Sequence, residues 1–357
     1  MKIICVIALF ALTVVAQSSA QDVTRMEQVI QSAVDKKTFM GSVLVARGND
    51  ILLNKAYGSA NLEWDIPNTT TTKFRLGSIT KQFTAASILL LEERGKLRIE
   101  DPIKNHLPDA PTAWDNITIY NLLTHTSGIP NFTALPDYPK LRPFSSAVEK
   151  TIDVFRDKPL DFQPGEKMSY SNSGYLVLGY LIEKIAGTSY GAFVKDNIFT
   201  PLGMKDSGYD SNSEIIARRA AGYSPGPAGP VNSGFIHMTI PHAAGALYST
   251  TEDLLRWEQG LFAAKVVSAA SLQKMTTPFK GDYALGVAVR TTNGRKVIAH
   301  SGGIEGFNTS LSFFPGSRIT VVVLSNINGP VADQIGRALG AIAHGEPVTV
   351  NLERKEK

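Results

Sequence analysis

A serine followed three residues later by a lysine opens an apolar run at Ser78-Ile79-Thr80-Lys81. Residues three apart share a helix face, so the serine oxygen and the lysine nitrogen can approach each other. The first turn of a helix also presents unpaired N–H groups and the positive end of the dipole, which favour developing negative charge. An amine whose pKa is lowered by burial or by neighbouring charge can then accept the serine proton. Two further elements raise the value of this pair. Tyr170-Ser171-Asn172 is the only Y-x-N in the chain. It follows a Pro164-Gly165 turn and precedes a predicted helix, a place where a phenolic oxygen can face a cleft. His300-Ser301-Gly302 is the only H-x-G, and Gly303 follows it. Glycines there let a substrate lie against a strand edge, with a backbone N–H ready for an oxyanion.

Other motifs carry less. Ser271-Leu272-Gln273-Lys274 repeats the S-x-x-K spacing, but no junction or polar neighbours accompany it, and it reads as a solvated helix turn. Gly222-Tyr223-Ser224-Pro225-Gly226 fits G-x-S-x-G, which requires a strand, a turn and then a helix. Pro225, Pro227 and Pro230 forbid that helix. His125 reads as a hydrogen-bonding loop residue. His237 and His242 have no third ligand at usable spacing and no H-E-x-x-H occurs, so no metal site is expected. Trp64, Trp114 and Trp257 read as packing residues.

The elements that would hold these groups alternate by region. Residues 23–34 show helical periodicity through Met26, Val29, Ile30 and Ala33. Ser42–Ala46 and Ile51–Ala56 flank Gly48-Asn49-Asp50 as a hairpin. Ser78–Leu91 and Gly174–Ile185 read as helices ending near Gly95 and Gly187. Residues 224–234 look irregular. Ser249–Phe262 reads as a helix with a capping box of Ser249 and Glu252. Strands return at Tyr283–Thr291 and Lys296–His300 around Asn293-Gly294, then at Ser310–Phe314 and Ile319–Leu324, before a helix at Val331–Ala343. Strands at both ends and helices between predict an α+β fold, an α/β sandwich. Its antiparallel sheet is built from N- and C-terminal segments and flanked by helices, with a mainly helical inserted domain. The expected division is 21–75 with 235–345 for the sheet, 76–234 for the helical part, and 346–357 as a flexible tail.

Composition narrows the class. The chain has 357 residues, 43% hydrophobic and 19% charged, with a net charge of +4 and no basic run, which argues against a nucleic-acid partner. Lys2, the apolar stretch Ile3–Val15 and Ser18-Ser19-Ala20 predict a signal peptide over residues 1–20, and hence a periplasmic or secreted protein. The only cysteine, Cys5, falls inside that segment, so the mature chain would have no thiol chemistry. No later stretch is long enough for a stable membrane span.

S-x-x-K, Y-x-N and H-x-G in this order resemble the β-lactamase-related serine hydrolases. That family includes class C β-lactamases, serine D-alanyl-D-alanine carboxypeptidases and esterases of the same fold. The resemblance extends through Leu122–Gly128, Pro201-Leu202-Gly203-Met204, Ala243–Ser249 and His300–Phe307, covering about Gly41 to Ala343. It implies Ser78 as nucleophile, Lys81 as an aid to its deprotonation, and Tyr170 as base and proton donor. The choice between Lys81 and Tyr170 as proton acceptor stays open. Asn172 would bind a substrate amide or support Lys81. His300, Ser301, Gly302 and Gly303 would line the substrate, and the N–H groups of Ser78 and Gly303 would hold the oxyanion. No cofactor is implied. Where class C β-lactamases carry lysine this chain has His300, so a carboxylate clamp there should be weaker and pH-dependent. The expected substrates are D-Ala-terminated peptides or small esters and amides, with peptidoglycan fragments or β-lactams as partners. A class C-like β-lactamase and a non-catalytic binding module are the alternatives. Oligomeric state is left open.

Overall fold

The computed structural model describes residues 21–348. The expected signal peptide, and the expected tail beyond residue 348, lie outside the described residues. Six strands form one antiparallel sheet: β1 (Gly41–Arg47), β2 (Asp50–Tyr57), β3 (Ala288–Thr292), β4 (Arg295–Ile304), β5 (Phe307–Phe314) and β6 (Ile319–Ser325). Their order is β3-β4-β5-β6-β1-β2. The two ends of the chain therefore meet at β1 and β6, paired from Gly41↔Ser325 to Arg47↔Ile319.

The helices that cover this sheet and position the site are α1 (residues 21–35), α2 (Thr80–Glu93), α3 (Asn172–Ala186), α4 (His242–Gly245), α5 (Thr251–Phe262) and α6 (Val331–Ala343). Both faces of the sheet are buried, so the central strands are apolar without alternation. Val43, Val45, Val321 and Val323 pack with Met26, Ile30, Ile335 and Leu339 of the terminal helices. Leu44, Ala46, Val322 and Leu324 join the larger core around α2. That helix is buried continuously from Thr80 to Leu91, as expected of a helix surrounded by protein on all sides.

Several boundaries differ from expectation. The side chain capping α5 is Thr250, whose hydroxyl accepts from Asp253 N, while Ser249 pairs with Phe74 in a small separate sheet. The strand expected from Tyr283 starts only at Ala288, because Gly286 at φ +72° breaks the extended path. β4 continues past His300 to Ile304. Residues 223–232 form a hairpin in which Pro225 faces Pro230, so the two residues lacking an N–H share one rung. Trp114 and Trp257 are buried, but Trp64 is 77% exposed at a hairpin tip and packs no core.

Candidate active site

Ser78 sits in a tight 3-10 turn, Gly77–Ile79, that feeds directly into α2. Gly77 has φ +54°, and a Cβ there would come within 2.8 Å of Gly303 N. Only glycine lets this turn lie so close to β4. One helical turn on, the fully buried Lys81 reaches three oxygens. Its Nζ is 3.1 Å from Ser78 Oγ, 2.8 Å from Asn172 Oδ1 and 2.8 Å from the Ala244 carbonyl. Asn172 Nδ2 donates to Thr133 Oγ1, which fixes the amide with its oxygen toward the lysine. Burial holds the Lys81 pKa well below the usual amine range. A neutral amine has two N–H groups, and the amide oxygen and the carbonyl can only accept them. The lone pair is then left facing the Ser78 hydroxyl.

Tyr170 stands beside this pair, with Lys81 Nζ 4.8 Å from its ring centroid. Its buried hydroxyl has no partner at full hydrogen-bonding geometry. Burial raises its pKa strongly, and only the neighbouring Ser78 works against that shift. A catalytic contact that tightens when substrate arrives has this open geometry beforehand. Behind it lies an aromatic cluster: His125 is 4.3 Å from Tyr170, 5.0 Å from Tyr175 and 4.7 Å from Tyr283, centroid to centroid. His125 Nδ1 accepts from Ser171 N, which anchors the Y-x-N segment, and burial keeps its imidazole neutral by lowering its pKa. The His300 ring is 6.3 Å from that of Tyr170. Its Nε2 is 3.0 Å from Tyr283 Oη, and its Nδ1 is 2.6 Å from the Ser301 carbonyl. Burial, then the charge of Lys81, pushes its pKa down to about 4. The imidazole therefore engages both nitrogens with protein partners, instead of aiming one at the Ser78 cleft as a carboxylate clamp would.

Ser78, Asn172, Ala244, Gly245, Gly303 and Asn308 line a cleft of about 460 Å³. β3 pairs with β4 only as far as Ala299, so beyond that residue β4 has β5 on one side and the Ser78 turn on the other. Gly302 is the tightest contact: a Cβ there would fall 1.9 Å from the Leu76 carbonyl. Ser301 does not line the cleft. It borders a neighbouring cavity of about 340 Å³ shared with Tyr170, Tyr283, His300 and Asp333.

Two residues in contact with these side chains escape sequence reading. Ala244 meets Lys81 through a carbonyl that every residue carries, although it lies in one of the stretches behind the resemblance. Tyr283 sits in a segment read as plain strand, and nothing in the letters marks it. The second S-x-x-K separates: Ser271 is buried, not solvated, and its N–H donates to Ser268, while Lys274 pairs with Glu92. Ser224 donates to Asn328 Oδ1 within the 223–232 hairpin. His237 contacts Thr239 and His242 contacts Glu183, and among the described residues no cluster could hold a metal ion.

Comparison with known proteins places these features. The family model described as Beta-lactamase matches residues 26–345. A penicillin-binding protein of Bacillus subtilis (strain 168) is 31% identical over 327 residues, covering 84% of this chain and 71% of that one. The crystal structure of a penicillin-binding protein from Bacillus halodurans superposes with a TM-score of 0.81 at 29% identity, covering 87% of this chain and 98% of that one. The D-amino acid amidase of Ochrobactrum anthropi SV3 shares the fold with a TM-score of 0.77 at 23% identity, covering 89% of this chain and 99% of that one. With the fold and sequence matched over nearly all the described residues, the chain belongs to the β-lactamase family of serine hydrolases.

Proposed function

We propose that this protein is an exported serine hydrolase that forms an acyl-enzyme on Ser78 and acts on D-Ala-terminated peptides or small esters and amides. The observation that carries the reading is the three-oxygen environment of Lys81, which leaves the amine lone pair only the Ser78 hydroxyl to face. In this reading Lys81 takes the Ser78 proton as Oγ attacks the carbonyl carbon. The N–H groups of Ser78 and Gly303 receive the oxyanion, and losing one such donor costs about 100- to 1000-fold in rate. The Tyr170 O–H then protonates the departing amine or alkoxide, and the proton on Lys81 replaces it. Water repeats the sequence to release the acid. Tyr170 serves as proton carrier because its raised pKa keeps the phenol protonated, while the lowered pKa of Lys81 frees the amine.

The relatives named as penicillin-binding proteins support acylation by β-lactams. Labelling with a fluorescent penicillin and a fluorophosphonate tests the proposal: wild type forms an adduct mapping to Ser78, and Ser78→Ala forms none. Failure of wild type to react with either probe contradicts it. Nitrocefin then separates the activities, since a single burst fits a slowly deacylating peptidase and steady turnover fits a β-lactamase. The apolar first twenty residues support export, which is tested by N-terminal sequencing of the secreted product, expected to begin near Gln21.

A further inference from the structure

The His300 ring makes two contacts, and the chemistry of the partners assigns both. Its Nδ1 lies 2.6 Å from the Ser301 carbonyl oxygen, which can only accept, so Nδ1 carries a proton. In the neutral ring Nε2 is then the lone-pair nitrogen, and the Tyr283 O–H 3.0 Å away donates to it. Tyr283 is well placed to act as a fixed donor. Its ring is wedged against His125 at 4.7 Å and stands edge-on to Tyr170 at 6.3 Å and to His300 at 5.8 Å. The loop carrying it is pinned to α2: at Gly286 a Cβ would fall 2.5 Å from the Lys81 carbonyl. Burial raises the phenol's pKa far above its ordinary value, so the donor proton stays in place.

We propose that Tyr283 is a positioning residue that locks His300 as the Nδ1–H tautomer with both nitrogens satisfied, so that the H-x-G strand offers substrate its backbone and not an imidazolium. This rests on the acyl-transfer reading of the site and, within it, favours the small neutral esters and amides over the carboxylate-bearing D-Ala-terminated peptides. The charge environment acts in the same direction. Arg290 of β3, and Lys81 of α2 at the acid pH where it carries its extra proton, disfavour a cation on this ring, while the buried His125 beside it stays neutral. The nearest acids do not offset this: Asp282 is paired with Arg290, and Asp333 of α6 is directed at Ser301 and Ser310 with its own pKa raised by burial. Tyr170, also against the ring, is neutral.

Nitrogen-15 NMR of the full chain with labelled histidine tests the inference, with His300 assigned by its loss in His300→Gln. Wild type should show the Nδ1–H tautomer and no titration of this ring between about pH 5 and 8. Tyr283→Phe keeps the ring packing and removes the donor to the neutral form. Its His300 midpoint should rise by about one pH unit, with the tautomers mixing. In kinetics, the same variant should raise KM-based discrimination in favour of carboxylate-bearing esters over neutral esters as pH falls. An Nε2–H tautomer or a titration near the ordinary histidine value in wild type overturns the proposal, without recourse to any variant. An unchanged ring in Tyr283→Phe overturns it equally. Absence of fluorophosphonate labelling in wild type with the expected NMR result would remove the catalytic reading and leave the tautomer lock standing.

Discussion

Lys81 concentrates the chemistry of the site. A buried amine between an amide oxygen, a carbonyl and a hydroxyl can be neutral near physiological pH, because burial disfavours its charged form. Tyr170 is shifted the opposite way, so the two groups diverge as an acid and base pair should. The sign of the pH dependence follows. In the proposed mechanism the active form has Lys81 without its extra proton and Tyr170 with its own, so kcat/KM for a neutral ester should rise with pH through the depressed lysine pKa. It then holds level up to at least pH 10, the ordinary tyrosine value. A profile on p-nitrophenyl acetate checks this, and a descending limb below about pH 9 would contradict the assignment. Lys81→Met should cost about 100- to 10,000-fold in acylation, because it removes the amine that contacts Ser78. At this scale the sequence was informative about side chains, and Ser78, Lys81, Tyr170, Asn172 and His300 lie together in the fold. It was silent on Ala244, which contributes a backbone oxygen, and on Tyr283, whose importance exists only in the folded neighbourhood of His300.

The elements meet through glycines. Gly77 and Gly302 allow the Ser78 turn and β4 to touch backbone to backbone, and Thr309 of β5 donates to the same Leu76 carbonyl that Gly302 abuts. Gly302→Ala must push the strand off the turn by more than an ångström to relieve a 1.9 Å contact with backbone. Displacement on that scale costs about 100-fold in rate. Fluorophosphonate labelling should slow by at least that factor while the sheet still forms, as judged by far-UV circular dichroism. An unchanged labelling rate would mean that the turn does not depend on the strand for its placement. Strand and helix periods were readable along most of the chain, because burial on one or both faces writes itself into the apolar pattern. The errors fell where local geometry overrides pattern. Gly286 ends what looked like a strand at Tyr283, Thr250 caps a helix that Ser249 seemed to start, and Trp64 points outward from a hairpin tip.

Across the whole molecule, both faces of the sheet are covered, and a buried carboxyl without a partner is costly there. Glu258 of α5 is 3% exposed and its Oε2 has no partner. Burial raises its pKa to about 8 from an ordinary 4.5. The folded state thus keeps a proton that the unfolded chain releases, and stability falls as pH rises from about 4.5 to 8. Glu258→Gln removes that slope, so its Tm should exceed that of wild type by several degrees at about pH 8 and match it more closely near pH 5. Equal Tm values at both pH values would show that this carboxyl finds solvent or a partner. The order β3-β4-β5-β6-β1-β2 has one more consequence, for biosynthesis. β1 is translated early, yet its partner β6 ends at Ser325, so the emerging polypeptide cannot close its central ladder until the residues between the two strands have all been made. Pairings so remote along the chain form slowly. A ribosome stalled anywhere before that last strand would leave Val43, Leu44 and Val45 as an uncapped adhesive edge, exposed to chaperones and to other copies.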